Sequence, residues 1–171
     1  QDIALLALSQ VLKKIPDARI EFYGGDMGLE KKRVFRREVE VVAKALDIFD
    51  RVHFGPFVAD PAAIMHGKFA ALNLSQSESF SMTVLEASAC ALPVIATRSG
   101  GPEEIVDDGN TGWLIPLDDP KACAEAMMSL CRDPAAARRM GEAGRQKVLA
   151  EFSHDAFRER LLSLLELDDL S

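Results

Sequence analysis

Apolar positions in this chain recur first at helical and then at strand spacing, and the two alternate from one end to the other. Ile3, Leu6, Ala7, Val11 and Ile15 predict an amphipathic helix over 2–14, stopped by Pro16-Asp17. A strand over 19–23 ends at Gly24-Gly25-Asp26, and a charged helix over 29–46 leads to a short strand at 52–54, closed by Gly55-Pro56. A short helix at 61–66 precedes the apolar run 69–74, which stops at the polar stretch Ser75-Gln76-Ser77-Glu78. A helix then begins near Phe80 and ends before Pro93, followed by a strand at 93–97, a short helix at 102–107 and a strand at 112–115. Three helices close the chain, over 120–131, 134–151 and 153–167, each opening on a Pro at or near the first turn or a Ser at the cap.

Strict alternation of helices with short apolar strands predicts an α/β fold with a parallel, doubly wound sheet. Opening on a helix is unusual there, because the first helix of a β-α-β unit needs a strand before it. The chain also begins with Gln, so a fragment of a longer protein is expected. In such a sheet, ligands bind at the carboxyl ends of the strands and helix-start amides can receive an anion. That places the candidate site between Leu74 and Pro102, with phosphate as the candidate ligand. Two carboxylates frame it. Glu78 precedes the helix, and Glu86 lies about 9 Å along the axis from Phe80, roughly the reach from a diphosphate to a ribose. Glu86 sits among Val84, Leu85, Ala87, Ser88, Ala89 and Ala91, so its charge needs donors, which ligand hydroxyls could supply.

Composition narrows the classes. The chain has 171 residues, 48% hydrophobic and 27% charged, enough for one domain with a sizeable core. A net charge of −7 argues against a general nucleic-acid binder, although a single nucleotide needs only a local positive site. Cys90, Cys123 and Cys131 have no C-x-x-C spacing and read as free thiols in a reducing cytosol. His53, His66 and His154 form no ligand pattern, and the apolar run 3–8 is too short to span a bilayer or act as a signal peptide. Lys31-Lys32-Arg33 with Arg36-Arg37 reads as a solvated helix face, and Glu103 as a complement to the helix dipole.

The segment Glu78-Ser-Phe-Ser-Met-Thr-Val-Leu-Glu86 resembles the E-x7-E signature of retaining glycosyltransferases with the GT-B fold, family 4. Pro93-Val-Ile-Ala-Thr, Gly100-Gly101-Pro102, Glu104-Ile105-Val106, Gly109 and Gly112 continue that pattern in register, and the likeness runs from about residue 1 to about residue 166. It implies a Rossmann-like, three-layer α/β/α domain, the carboxyl-terminal, donor-binding half of such an enzyme. The first strand, its basic phosphate loop and the amino-terminal domain holding the hydroxyl acceptor would then lie outside this chain, and the last helix would cross toward that domain. By the same resemblance, Glu78 is the catalytic glutamate facing the donor sugar, and Glu86 binds the ribose. Ser79, Phe80, Ser81, Met82 and Thr83 hold the donor with amides at the helix start, Gly24, Gly25, Gly55 and Phe57 border the nucleotide, and Gly100 and Gly101 form a pocket wall.

The substrate implied is a nucleoside-diphosphate sugar, with no cofactor and no metal, since the chain offers no Asp-x-Asp pair. A cytoplasmic enzyme of glycan, polysaccharide or glycolipid synthesis is expected, with peripheral contact of the parent at the inner membrane face allowed for. The chain departs from the family in Leu74-Ser75 and in Glu78-Ser79-Phe80-Ser81, where Pro-Ser and Glu-Gly-Phe-Gly are usual. Serine favours an ordinary backbone conformation and adds hydroxyl donors. A sugar-nucleotide epimerase of the same architecture and a non-catalytic, receiver-like module are the competing readings; the second would need an acidic cluster at its first strand ends, which the sequence lacks.

Overall fold

The computed structural model describes residues 2–24 and 30–165. In chain order the elements are α1 (Asp2–Val11), β1 (Ile20–Phe22), α2 (Glu30–Ala45), a 3-10 turn (Phe49–Arg51), β2 (Val52–Phe54), α3 (Pro61–Met65), β3 (Ala71–Asn73), α4 (Met82–Ala89), β4 (Val94–Thr97), α5 (Gly101–Ile105), β5 (Gly112–Ile115), α6 (Pro120–Arg132), α7 (Pro134–Glu151) and α8 (His154–Leu164). Every element read from the hydrophobic pattern is present, and most are a residue or more shorter than the apolar run that marks them.

All strand pairs are parallel, as the alternation predicts, but the described strands form two sheets rather than one. β1 pairs with β2, and β4 lies between β3 and β5. A cavity of about 870 Å³ separates β1 from β3, with Ile20, Phe22, Ala71 and Leu72 among its walls. Backbone alternation shows what faces it. Phe22 turns its carbonyl to β2 and Ala71 its amide to the β4 side, so the polar groups of Glu21 and Leu72 point to the opposite edges, into the slot.

Strand β4 is the hub because it is buried on both faces. Ile95 packs with Ala7 and Val11 of α1 and with Cys123, Ala124 and Leu130 of α6. Its neighbours Val94 and Ala96 face the other way, onto Val84 and Ala87 of α4, Ile105 of α5 and Val148 of α7. The result is helix, sheet, helix. A third cluster joins Leu5 and Leu8 of α1 to Ile20 of β1 and to Val39 and Ala43 of α2, and it anchors the two-stranded sheet.

Helix α7 packs on α4 and on the turns beside it, and two of its glycines face backbone there: a Cβ on Gly141 would collide with the Ala91 carbonyl, and one on Gly144 would lie 3.3 Å from the Thr111 carbonyl. Trp113, in β5, buries its indole Nε1 without a hydrogen-bond partner among the described residues. On α8, Phe157, Leu161 and Leu164 are exposed, Leu164 to 81%.

Candidate active site

Strand β3 ends on Asn73, a polar amide inside an otherwise apolar run, and its burial to 8% exposure obliges it to find partners. Its Nδ2 donates to Ser81 Oγ at 2.7 Å and to Glu78 Oε1 at 3.4 Å, while its Oδ1 accepts from the Ser75 amide at 3.3 Å. Ser75 Oγ donates to the same Glu78 oxygen at 2.6 Å. Thr97, at the end of β4, donates through Oγ1 to the Ser75 carbonyl at 2.5 Å. The loop between β3 and α4 is thereby tied to two strands through the side chains of Asn73 and Thr97.

Its backbone is tied as well. The Glu78 amide donates to the Ser99 carbonyl at 2.9 Å, and the Glu78 carbonyl accepts from the Gly101 amide at 2.7 Å. Gly100 has φ of 107°, a conformation open to glycine, and a Cβ there would stand 2.7 Å from the Glu78 carbonyl oxygen. A Cβ on Gly101 would stand 2.6 Å from Phe80 Cα. The Gly100-Gly101 pair therefore lies directly against the Glu78–Ser81 backbone. Glu103 holds the turn from the far side, accepting from the Gly100 amide at 2.7 Å, the helix-start role read for it from sequence.

Helix α4 starts two residues later than Phe80. Ser81 is its cap, in an ordinary extended conformation at φ of −94°, and Ser81 Oγ accepts from the Val84 amide at 3.4 Å. The amides of Met82 and Thr83 have no carbonyl a turn earlier to bond and stay available to a ligand. Ser79, Phe80, Met82 and Thr83 are exposed, and the Phe80 ring rests against Phe152 at 5.8 Å. Glu86 lies one turn beyond Thr83 on the same helix face, half-buried. Among the described residues no donor or cation meets its carboxylate. The two glutamates thus differ: Glu78 is held by the protein, and Glu86 is held by nothing described.

A second group gathers at the ends of β1 and β2. The Gly24 amide donates to the Pro56 carbonyl at 3.3 Å, Gly55 is buried against the Tyr23 ring, and Phe57 is exposed. Gly25 lies outside the described residues. No hydrogen bond joins Gly24, Gly55 or Phe57 to Glu78 or Glu86 among the described residues. The slot does reach both groups, since Tyr23, Ser75, Glu78 and Thr83 all line it. Lys68 closes part of it by donating to both Glu21 oxygens at 2.7 Å. That bond, with one from the Tyr23 hydroxyl, holds the Glu21 carboxyl below its ordinary range and raises Lys68. The Tyr23 phenol is raised by its bond to Glu21.

Elsewhere, Cys123 is buried and its thiol is pushed up to about 12, mainly by burial. Cys90 and Cys131 are free thiols, half-buried. Arg36 pairs with Glu40 at 2.9 Å on the surface of α2. The side chains of Lys31, Lys32 and Arg33 lie outside the described residues. No group of His, Cys, Asp and Glu among the described residues could hold a metal ion, and no described helix is long and apolar enough to cross a membrane.

Parallel strands with helices on both faces, and a loop site at the carboxyl end of β3, define a Rossmann-like α/β domain of the GT-B kind. The chain belongs to the family "glycosyl transferases group 1", whose model matches residues 1–147. It is 31% identical over 178 residues to the GDP-mannose-dependent alpha-(1-6)-phosphatidylinositol monomannoside mannosyltransferase of Mycolicibacterium smegmatis, covering 96% of this chain and 44% of that protein. It is 37% identical over 111 residues to N-acetyl-alpha-D-glucosaminyl L-malate synthase of Bacillus anthracis, covering 65% of this chain and 29% of that one.

Among solved structures, Anabaena HepE in complex with UDP superposes with a TM-score of 0.88 at 22% identity, over 97% of this chain and 44% of HepE. Sucrose-phosphate synthase from Thermosynechococcus elongatus superposes with a TM-score of 0.83 at 30% identity, over 95% and 41%. The chain spans less than half the length of each of these relatives.

Proposed function

We propose that this chain is the donor-binding domain of a retaining, family-4 type glycosyltransferase that moves a hexose-type residue from a nucleoside-diphosphate sugar to a hydroxyl acceptor. The observation that carries the reading is the contrast between the two glutamates flanking the start of α4. A half-buried carboxylate with no donor described is costly unless a ligand completes it, and Glu86 stands one turn from the free amides of Met82 and Thr83. Ribose hydroxyls suit it. Glu78, oriented by Asn73 and Ser75, faces the donor sugar, and the amides of Ser81, Met82 and Thr83 receive the phosphates without a metal. Gly24, Gly25, Gly55 and Phe57 border the nucleotide, and Gly100 and Gly101 wall the pocket.

The proposal extends to a facing amino-terminal domain that holds the acceptor, to a strand that fills the slot between β1 and β3, and to a cytoplasmic, peripherally membrane-associated parent. The open slot and the exposed apolar face of α8 support it, and residues 1–171 alone are then inactive in transfer. In the full-length protein, Glu86→Gln should weaken nucleoside-diphosphate binding by about 1.5 to 3 kcal/mol, roughly ten- to a hundredfold. Calorimetric titration measures it, and an unchanged dissociation constant in a folded variant makes Glu86 structural. Glu78→Gln should cut transfer while leaving product binding nearly intact. Assayed on a panel of donors, transfer products support the reading, whereas epimerised donor assigns the chain to the epimerases.

A further inference from the structure

Phe80 stands between the backbone-packed part of the site loop and the unbonded amides of Met82 and Thr83. Its Cα lies against Gly101, where an added Cβ would come within 2.6 Å of it. Its side chain leaves the loop for another part of the molecule: the ring meets that of Phe152 with centroids 5.8 Å apart and planes tilted by 48°, an attractive aromatic geometry. Phe152 is placed to hold it. It closes α7 through its amide, which donates to the Val148 carbonyl at 2.9 Å, and it directly precedes Ser153, the cap of α8. It is half-buried and packs against the apolar cluster that contains Val84, Val94 and Val148. One ring of the pair is therefore rooted in the core, whereas the other belongs to a loop residue that is 37% exposed.

We infer that Phe152 is a positioning residue: through the Phe80 ring it holds the start of α4 where the amides of Met82 and Thr83 meet the diphosphate. The inference rests on the nucleotide-sugar reading above. Asn73 ties the next residue, Ser81, to the end of β3, and Phe152 ties Phe80 to the corner between α7 and α8. The turn that presents the amides is thus fastened to two separate parts of the fold.

The test uses calorimetric titration of the full-length protein with UDP and GDP, and with uridine and guanosine as phosphate-free controls. Phe152→Ala should weaken binding of the preferred diphosphate by about two- to tenfold, the worth of an aromatic pair, and leave the nucleoside unchanged. Phe80→Ala should lose as much, and the double variant no more than either single change, within about twofold. Val94→Ala supplies the control for mere loss of packing, because Val94 lies in the same cluster at the end of β4 away from the site. It should lower the denaturant midpoint and leave diphosphate affinity unchanged. Equal losses for diphosphate and nucleoside, effects that multiply in the double variant, or a matching loss of affinity in Val94→Ala overturn the inference. If Phe152→Ala does not fold, Phe152→Leu decides: it keeps apolar bulk in the core without the ring and should show the same selective loss, and unchanged diphosphate affinity refutes the positioning role. A wild-type protein that binds neither UDP nor GDP overturns the nucleotide reading and this inference together.

Discussion

The two sheets of the molecule use glycine in opposite ways. On the three-stranded side, Cβ atoms added at Gly100, Gly101 and Gly112 would meet backbone at 2.6 to 2.7 Å, and one at Gly141 would collide with backbone. On the two-stranded side, a Cβ at Gly55 would meet only the ring of Tyr23. Backbone cannot step aside, whereas a half-buried ring can swing. The site loop is thus set by main chain packed on main chain, and the slot-facing edge is set by adjustable side chains. Backbone packing is concentrated at the loop that carries Glu78.

The sharpest way to break this contrast is Gly100→Ala, which combines a strained φ with a contact on the Glu78 carbonyl. It should cost about 3 kcal/mol or more, read as a lower denaturant midpoint, and a near-neutral result refutes the backbone-packed loop. Gly55→Ala should cost about 1 kcal/mol, and most of that should vanish in a Tyr23→Ala background. An equal cost in both backgrounds makes the two sides alike after all.

The smallest effect belongs to Lys68→Met. Its ion pair with Glu21 leaves each side chain about one third exposed, so screening keeps its worth below about 1 kcal/mol. The sign follows from the two shifts. Glu21 is lowered from 4.5, so its contribution is present above that pH and is lost as pH falls through the folded value. Lys68 is raised from 10.5, so its contribution is present below that pH and is lost as pH rises through the folded value. The difference between wild type and Lys68→Met should therefore be flat between about pH 4.5 and 10.5 and shrink outside, in chemical unfolding followed across that range.

Much of this architecture is legible in the sequence because period and punctuation agree. The Pro residues at 61, 120 and 134 and the Ser residues at 81 and 153 stand at or beside the helix starts observed. Serine at position 81 also gives the ordinary φ that its side chain favours. Asn73 is harder to see, because it lies within an apolar run and reads as one more strand position. A lone amide inside such a run is the signal, since burial forces it to bond. Ser75 and Thr97 look like loop and strand end, and only the fold brings the Thr97 hydroxyl to the Ser75 carbonyl. The opening on a helix with no strand before it is the one hint of the slot in the sequence, and no spacing along the chain places the gap between β1 and β3. The meeting of Gly100 with Glu78 spans 22 residues and depends on β3 and β4 being adjacent.

The lone tryptophan and the lone tyrosine fall on opposite sides of that slot, Trp113 in β5 and Tyr23 at the end of β1. Each sheet thus carries its own optical label. Indole emission reports the three-stranded side, where an unbonded Nε1 in a dry setting favours a blue-shifted band, and phenol absorbance reports the two-stranded side. During unfolding, coincident transitions in the two signals mean that the halves melt as one cooperative unit. Separated transitions mean that each sheet unfolds on its own schedule, readable without adding any dye or mutation.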